Sequence, residues 1–552
     1  MGRRRNATVM AWEKAKRLAL LLFAVSLVWR VAPGWSEELS GAALVQSRCA
    51  VCHAPQRGDK LEAIESARKT PEGWEMTLDR MIRTHGLRLQ PTDGAQLVKY
   101  LSDCYGLAPA EVAPYQHVLE KRINAVAQVD LPKTVQGACV QCHSYARIAL
   151  QRRTADSWKR VPDMKLALIT NTENVTASSG LLSNYWYDDA TKEAIPYIVK
   201  QFPFTSEAWT KWQIAAKPDY AGTWKVVGHD PGKGGDYTGE LTLSALGGDR
   251  YEGAFTHRFS DGSTVSGKTT AIVYTGFQWR GIAQLEGGQK QQEIFFGSEN
   301  GALLSGRRLS TGLGDLGMDE KLYRKKDIAR LLTIMPAALK AGDTQKVRLF
   351  ATSFPANLPE SALQFGEGVK VQAITRSSDD TIVAEVTTKK DVKIGARQIK
   401  VSGMQGDATL QVYAAVDYIR IAPEQGFARP GGVKARKVME QFEAIGYLNG
   451  PDGVKGTKDD IKVGRVAPVK WDVEENVTHN NDDDIQFVGK IDENGLFTPA
   501  EDGPNTKRER MEHNVGDVWV EAWYTPDGAK RPMGARAPLL VMPEKFSFQP
   551  IE

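Results

Sequence analysis

The sequence predicts a multidomain protein that combines an α domain with all-β domains: an N-terminal all-α domain, then an antiparallel β-barrel, then two immunoglobulin-like β-sandwiches. Three observations support this fold class. The chain has 552 residues, more than a single hydrophobic core can organise. Its first part repeats a set of helical segments at a spacing of ninety residues. From about residue 205 onward, apolar and polar residues alternate between glycine-containing turns.

The N-terminal end of the chain predicts an export signal. A basic stretch precedes the uncharged apolar run "LALLLFAVSLVW", and Gly34 and Ser36 place small side chains before a possible cut at Glu37. Twelve apolar residues are short for a membrane span, and an uncleaved anchor is the alternative. We therefore expect residues 1–36 to be a signal peptide and the mature chain to lie in the periplasm.

The net charge gives no reason to expect a nucleic-acid partner. The full sequence carries 71 Lys and Arg against 67 Asp and Glu, a formal charge of +4. Seven of the basic residues and one acidic residue lie in the export signal, so its removal leaves a formal charge of −2. The mature chain therefore lacks the basic excess that binds a phosphate backbone.

Two pentapeptides of the pattern C-x-x-C-H indicate the chemistry of the N-terminal part: "CAVCH" at 49–53 and "CVQCH" at 139–143. In this pattern two thiols add to the vinyl groups of haem, and the adjacent imidazole binds the iron. A zinc site would need a second ligand pair nearby, and a thioredoxin-like site would not need the histidine. We therefore predict two covalently bound haem c groups, with thioethers at Cys49, Cys52, Cys139 and Cys142 and proximal iron ligands at His53 and His143.

The two motifs belong to a longer repeat. "VQSRCAVCH" and "VQGACVQCH" share Val-Gln at the same offset, and "TPEGWEMTLDRM" at 70–81 parallels "TADSWKRVPDM" at 154–164. Each half ends in an amphipathic stretch, "GAQLVKYLSDCYGLAP" or "KEAIPYIVKQFPF". A motif, a middle helix with a methionine and a C-terminal helix make a small c-type cytochrome unit. The repeat predicts an all-α diheme cytochrome c domain over residues 37–205.

The distal iron ligand is expected from the middle of each unit. For the second haem the candidate is Met164, and a thioether that only packs the core is the alternative. For the first haem Met81 matches by position, but His85 lies one helical turn further on, on the same helix face. His117 and Met76 are further candidates. The choice matters because a thioether ligand raises the haem potential relative to a second imidazole.

One cysteine lies outside the two motifs. Cys104 is in "LSDCYG" on the last helix of the first unit, and the other four cysteines are assigned to haem. It therefore has no disulfide partner within the chain. A buried, inert thiol is one interpretation, and a bond between subunits is the other.

The rest of the chain predicts three β domains. Residues 206–325 alternate apolar and polar positions between Gly-Gly and Asp-Gly turns, which favours a small up-and-down barrel or a sandwich; of the two we predict the barrel. The segment "KKDIARLLTIMPAALKAGD" at 325–343 is interpreted as a connector. Residues 326–418 hold five short strand-like runs, and residues 419–552 hold several more, so each predicts an immunoglobulin-like sandwich. Neither a Ser-His-Asp signature nor a phosphate-binding loop occurs in this half.

This arrangement resembles the α subunit of bacterial quinohemoprotein amine dehydrogenase over essentially the whole mature chain. The resemblance depends on the two C-x-x-C-H motifs, the Trp-to-Met helices, the barrel, and the segment "VGKIDENGLFTPA" with the later "GDVWVEAWYT". It implies a periplasmic αβγ heterotrimer that oxidatively deaminates primary amines. A β-propeller subunit and a small subunit bearing a cysteine tryptophylquinone would be the partners. The two haems would pass electrons to an azurin-type copper protein or a soluble cytochrome c, with the substrate-site catalytic residues on another subunit.

Two other classes of function are compatible with the motifs. One is a diheme cytochrome c peroxidase-like enzyme, in which one haem keeps an open distal position. The other is a non-enzymatic exported multihaem cytochrome with adhesive immunoglobulin-like domains. The first predicts one ligand-binding haem, whereas the electron-transfer interpretation predicts two six-coordinate haems.

Overall fold

The computed structural model describes most of the chain after residue 39. The described residues are 40–55, 60–90, 92–116, 131–140, 144–170, 172–177, 182, 185–310, 317–325, 329–406, 408–431, 437–477 and 483–542. The predicted signal peptide, Cys142, His143 and His117 lie outside these residues. Among the described helices, none has both the length and the apolar composition needed to cross a bilayer.

The N-terminal unit is mostly helical. Its α-helices are α1 Gly41–Cys49, α2 Pro71–His85, α3 Asp93–Cys104, α4 Pro109–Val112, α5 Lys133–Cys139, α6 Ala146–Ala149, α7 Ala155–Lys159, α8 Val161–Leu168, α9 Thr172–Ala177, α10 Trp186–Asp189, α11 Ile195–Gln201 and α12 Glu207–Ile214. A π-helical turn, Ala190–Ala194, joins α10 to α11. The structure also contains two strands that the all-α prediction omitted, β1 Ala67–Lys69 and β2 Gln151–Arg153. They pair antiparallel, so each repeat contributes one strand to a sheet between them.

The helix that carries the repeated tryptophan begins in the same way in both halves. Thr70 caps α2 by accepting a hydrogen bond from the Gly73 amide at 3.3 Å, and Thr154 caps α7 in the equivalent way. In the second half the helix does not continue to the methionine. It ends at Lys159, and α8 begins at Val161. Pro162 lies in the first turn of α8, where a backbone N–H has no partner within the helix, so its absence loses no hydrogen bond.

The predicted antiparallel barrel is confirmed. Eight strands form it: β3 Gly222–Asp230, β4 Gly235–Gly247, β5 Arg250–Phe259, β6 Thr264–Tyr274, β7 Gln278–Leu285, β8 Lys290–Gly297, β9 Leu303–Ser310 and β10 Gly317–Arg324. Each strand pairs with the next, and β10 pairs with β3, with Leu322 opposite Val226, so the barrel is closed. Closure removes the exposed sheet edges that favour aggregation. The alternating positions point Trp224, Tyr237, Phe255 and other large side chains into the interior.

The third unit consists of two four-stranded sheets that share one apolar core. Its strands are β11 Leu331–Met335, β12 Ala338–Lys340, β13 Thr344–Ala351, β14 Leu363–Gln364, β15 Val369–Arg376, β16 Thr381–Thr388, β17 Gly395–Val401 and β18 Ala408–Tyr413. The interpretation of 325–343 as a connector is wrong, because β11 and β12 lie in this segment and join different sheets. The immunoglobulin-like topology stays a prediction.

The fourth unit contains ten strands in three sheets. They are β19 Tyr418–Ala422, β20 Gly426–Ala428, β21 Glu440–Gln441, β22 Glu443–Leu448, β23 Ile461–Arg465, β24 Val469–Glu475, β25 Gly489–Ile491, β26 Leu496–Pro499, β27 Gly516–Tyr524 and β28 Met533–Val541. The largest sheet has the order β20-β28-β27-β24. Its inner face packs Val518, Val520 and Leu539 into the core of the unit.

The barrel contacts all three other units. Against the helical unit, the Thr275 amide donates a hydrogen bond to Asp103 at 2.7 Å, and the Trp212 indole donates to the Thr275 carbonyl at 2.8 Å. Against the third unit, Lys225 pairs with Asp380 at 2.6 Å. The barrel is therefore the element that fixes the helical unit relative to the β domains.

A histidine links the barrel to the fourth unit. His229 Nδ1 lies 2.8 Å from Asp236, and Nε2 lies 2.9 Å from Glu443, which also pairs with Arg465 at 3.2 Å. Burial lowers the pKa of His229, but the hydrogen bonds to the two carboxylates outweigh it and raise the pKa to about 10. The imidazolium therefore holds the two units together at neutral pH.

Replacement of His229 by alanine should remove a pH-dependent part of the stability. Because the folded-state pKa lies above the ordinary value of 6.5, the contribution is complete below about pH 6.5 and is lost as the pH rises through about 10. We expect the difference in unfolding free energy between the native chain and His229→Ala to shrink between pH 6 and pH 10 in denaturant titrations. A constant difference over that range would contradict the assignment.

Candidate haem-binding site

The first C-x-x-C-H motif follows directly on helix α1. Ser40 caps this helix, and the chain then turns so that the amides of Cys52 and His53 donate to the Cys49 carbonyl at 3.1 and 2.9 Å. Cys49 is half-buried, Cys52 is exposed, and neither forms a disulfide. Burial raises the pKa of the Cys49 thiol, and the neighbouring Cys52 raises it further. The turn thus presents two unpaired thiols and an imidazole from one short segment.

The hydrogen bond of His53 leaves one ring nitrogen for a metal. Nδ1 lies 2.8 Å from the carbonyl oxygen of Glu62. A carbonyl oxygen only accepts, so we assign the ring proton to Nδ1, and Nε2 keeps a free lone pair. A second hydrogen bond of this kind orients histidines that bind metals through the other nitrogen. The geometry therefore matches the predicted role of His53 as a proximal iron ligand.

A cavity of about 920 Å³ adjoins the first motif. This is close to the upper end of the range of about 300–1,000 Å³ found for small-molecule and cofactor sites. Cys49, Cys52 and His53 all line it, and apolar side chains such as Trp74 and Leu78 form part of its wall. The thiols, the imidazole and an apolar enclosure of this size together fit a haem c group.

Both candidates for the distal ligand of the first haem reach this cavity. Met81 is half-buried and His85 is exposed, and both line it from helix α2. The helix ends at Gly86, whose φ of 72° lies in the left-handed region and whose amide donates to the Met81 carbonyl. Met76 is not among the lining residues, and its sulfur lies 3.8 Å from Arg147.

Met164, predicted for the second haem, also lines the cavity of the first motif. It lies on α8, and its sulfur is 2.7 Å from Nη1 of Arg80 on α2. Two segments of the second repeat, around Arg153 and Met164, therefore form part of the wall. The structure thus brings Met81, His85 and Met164 to one cavity, although the repeat assigned them to two different haems.

The second motif is described only in part. Cys139 ends helix α5 and packs with an apolar cluster that includes Tyr145, Trp158 and Ile198. Burial raises the pKa of this thiol to about 12. Cys142 and His143 lie outside the described residues, so their predicted roles stay predictions. Cys104 ends α3, carries no disulfide and is half-buried.

Four family models match consecutive parts of the chain. Residues 39–209 match the haem-binding domain of the quinohemoprotein amine dehydrogenase alpha subunit. Residues 218–325, 328–414 and 419–551 match domains II, III and IV of the same subunit. The chain belongs to this family. Members of this family are alpha subunits of an amine dehydrogenase, an oxidoreductase, and residues 39–209 match the haem-binding domain of the family.

The comparisons with curated proteins and with solved structures do not extend this assignment. No curated protein matches the chain. A de novo designed fluorescence-activating β-barrel is 20% identical, over 19% of this chain and 93% of that chain, with a TM-score of 0.17. Zebrafish RET cadherin-like domains 1 to 4 are 9% identical, over 56% and 66% of the two chains, with a TM-score of 0.16. Drosophila N-cadherin EC1-4 is 10% identical, over 60% and 95%, with a TM-score of 0.15.

A buried ion-pair network in the haem-binding domain was not predicted from the sequence. Arg68 on β1 binds both oxygens of Glu111 at 2.8 Å, and Arg152 on β2 approaches one of them at 3.3 Å. Glu111 also accepts from the Ser206 hydroxyl and the Ala108 amide. A sequence signal exists: "ARKT" and "QRRT" each place basic residues directly before the threonine that caps the repeated helix.

Six basic residues line the cavity and were also missed: Arg48, Lys69, Arg80, Arg88, Arg153 and Arg160. Lys69 follows Arg68 on β1, Arg153 follows Arg152 on β2, and Arg80 precedes Met81 on α2. Burial and the neighbouring guanidinium groups of Arg153 and Arg80 lower the pKa of Lys69 well below its ordinary value. Burial, with a smaller effect of Arg80, lowers the pKa of Arg153 to about 10. These six basic residues face only two acidic residues, Glu62 and Asp156, in the lining of the cavity.

Proposed function

We propose that this chain is the electron-transfer subunit of a periplasmic amine dehydrogenase complex. In this proposal it binds two haem c groups, at Cys49, Cys52 and His53 and at the corresponding residues of the second motif. It carries electrons from a cysteine tryptophylquinone on a small partner subunit, produced when primary amines are oxidatively deaminated. A β-propeller subunit completes the heterotrimer, and an azurin-type copper protein or a soluble cytochrome c accepts the electrons. Residues 1–36 direct export, and the mature chain begins at Glu37.

The observation that supports the proposal is the single cavity shared by two thiols, a correctly oriented imidazole and candidate distal ligands. Haem, when bound there, supplies a one-electron redox centre. Cys49 and Cys52 would hold it covalently, which prevents its loss in a dilute compartment outside the cytoplasm. Nε2 of His53 would bind the iron on one side, while Glu62 keeps the ring in the required tautomer.

The distal position is proposed for Met81, with His85 as the alternative, at the first haem and for Met164 at the second. Trp74, Leu78 and other apolar side chains form part of the cavity wall, and an apolar surrounding favours the less charged, reduced state of a haem iron. The remaining units act as a scaffold in this proposal. Their sheets hold the haem-binding domain through the barrel, and a fold alone implies no chemistry.

The test uses the purified native complex from the periplasmic fraction. A primary amine added without external acceptor should reduce both haems, seen as sharpened absorption bands of ferrous haem. A tertiary amine of similar size, which lacks the hydrogens needed to form an imine on nitrogen, should not. The isolated chain should stay oxidised with either amine and be reduced by dithionite.

Each outcome of this experiment decides a different part of the proposal. Haems that respond to dithionite but not to a primary amine in the intact complex would contradict the electron-transfer role. A peroxidase-like enzyme would instead show one high-spin haem that binds added ligands. An adhesive cytochrome would be recovered as a stable single chain without a propeller or a quinone-bearing subunit.

A further inference from the structure

Lys69, Arg80 and Arg153 form a cluster of cations on the wall of the first cavity. Lys69 is 5% exposed, so its ammonium group is almost fully removed from water. The three come from three different elements, β1, α2 and β2. The pairing of β1 with β2, with Ala67 opposite Arg153, brings the two repeats together at this point.

Each member of the cluster contacts only neutral groups of the described chain. Lys69 donates to the Thr77 hydroxyl at 2.5 Å and lies 4.7 Å from the centre of the Trp74 ring. Arg153 donates to the Gln151 side chain at 2.8 Å and to the Ser157 hydroxyl at 3.1 Å. Arg80 donates to the sulfur of Met164. Within the part of the chain that the structure describes, none of the three forms an ion pair with a carboxylate.

The carboxylates that line the same cavity do not balance this charge. They are Glu62 and Asp156, and both are exposed. Asp156 is engaged with Lys159 at 3.3 Å. A charged group removed from water without a counter-charge is strongly unfavourable, and neighbouring like charges increase the penalty. An anion bound between the three side chains would relieve this penalty, and the described chain does not supply one.

We propose that Lys69, Arg80 and Arg153 form a carboxylate-binding cradle for the haem attached at Cys49 and Cys52. This proposal rests on the proposed function, since it requires haem at the first motif. Haem carries two carboxylates on its flexible propionate side chains, and guanidinium groups bind carboxylates with strong, directional hydrogen bonds. The cradle would neutralise both carboxylates and leave one positive charge close to the iron. A positive charge favours the reduced state, and so raises the potential of the first haem.

The cradle also makes the first haem dependent on the second repeat. Arg153 belongs to the repeat that carries the second motif, yet it lines the cavity of the first. The two haem units are therefore not independent modules. A substitution in the second repeat should change a property of the first haem.

The experiment compares the potentials of both haems in purified holo-complex by optical redox titration. Arg153→Gln should lower one of the two potentials, with about a tenfold change in the equilibrium constant for reduction, which corresponds to about 59 mV for one electron. Arg153→Lys keeps the charge and should restore most of the native value. The shifted haem is identified by a chain with Cys49→Ala and Cys52→Ala, in which that titration is absent.

The matched control is Arg83→Gln. Arg83 lies on the same helix as Arg80, one turn further on, but its side chain is 68% exposed and pairs with Asp79 at 2.7 Å. Both potentials should stay at their native values in this variant. If Arg153→Gln does not accumulate, Arg80→Gln tests the same cradle from the first repeat.

The outcomes separate this proposal from the proposed function. Two attached haems with unchanged potentials in both Arg153→Gln and Arg80→Gln would overturn the cradle and leave the electron-transfer role intact. A shift of the second haem alone would also overturn it. If free phosphate rather than the haem carboxylates occupied the cradle, the potential of the native complex would depend on phosphate concentration, which contradicts the proposal. Absence of covalent haem would overturn the proposed function itself.

Discussion

Replacement of Glu111 by alanine is expected to lower the free energy of unfolding of the haem-binding domain by about 3–5 kcal/mol. The carboxylate lies between Arg68 and Arg152, and all three side chains are at most 7% exposed. Without this carboxylate, two guanidinium groups remain buried without a counter-charge. Their burial destabilises the folded state more than the absence of all three charged groups would. The measurement is denaturant unfolding of the holo-chain, followed by haem absorbance, which reports on this domain rather than on the β units.

The pH dependence gives a second test of the same network. Burial raises the pKa of Glu111. The hydrogen bond from Arg68 and the positive charges of Arg68 and Arg152 outweigh this effect, so the pKa lies below its ordinary value of 4.5. The stabilisation is therefore present above about pH 4.5 and is lost as the pH falls through the lower, folded-state pKa. The difference between native chain and Glu111→Ala should shrink on acidification.

Glu207→Ala is the matched control for this prediction. Glu207 lies in the first turn of α12, pairs with Lys211 at 2.6 Å, and has a side chain that is 80% exposed. An exposed pair of this kind contributes about 0–1 kcal/mol. A loss of less than about 1 kcal/mol in Glu111→Ala, similar to that of the control, would show that the network does not hold the two repeats together.

The sequence predicts the parts of this fold that depend on local patterns. Strand β6 alternates buried with more exposed residues from Gly267 to Tyr274, and the turn at Asp261 and Gly262 is a standard hairpin signal. Thr70 and Thr154 mark two helix starts by the same local chemistry. The closure of the barrel does not follow from these local patterns, because it depends on the pairing of β10 with β3, in which Asp319 lies opposite His229.

The elements that sequence reasoning missed are short or depend on distant partners. Strands β1 and β2 have three residues each and pair across more than eighty positions, so neither carries a two-residue pattern that could be recognised. The segment that contains β11 and β12 is rich in Leu, Ile and Ala, and a short apolar run does not distinguish strand from helix. Pro336 separates the two strands, and only their different sheet partners show that they are strands.

Some features of the candidate site could also be predicted from local sequence patterns, and others could not. The motif alone predicts the roles of Cys49, Cys52 and His53, because the spacing reflects the chemistry of attachment. The position of Met164 does not follow from the repeat. Helix α8 is separate from α7, and the sulfur of Met164 lies in contact with Arg80. Lysine and arginine are usually solvated, so a sequence gives no reason to expect Lys69 inside a cavity wall.

A chain with both Cys49→Ala and Cys52→Ala should keep only one covalently bound haem, and so lose half of its haem content. Thioether bonds need both thiols, and no other cysteine of the described chain lines this cavity. Amine-driven reduction of an external acceptor should be lost if electrons pass through the first haem. The measurements are the mass of the denatured chain, its haem content, and the rate of acceptor reduction in the assembled complex.

Cys104→Ala is the matched control, because Cys104 is half-buried at the end of α3 and lies outside both motifs. It should keep both haems and native electron transfer. Two haems in the double variant would contradict the assignment of "CAVCH". The single-haem chain also resolves the role of Met164. If this thioether binds the second haem, Met164→Ala will change the remaining spectrum, but if it belongs to the first cavity alone, the spectrum will stay the same.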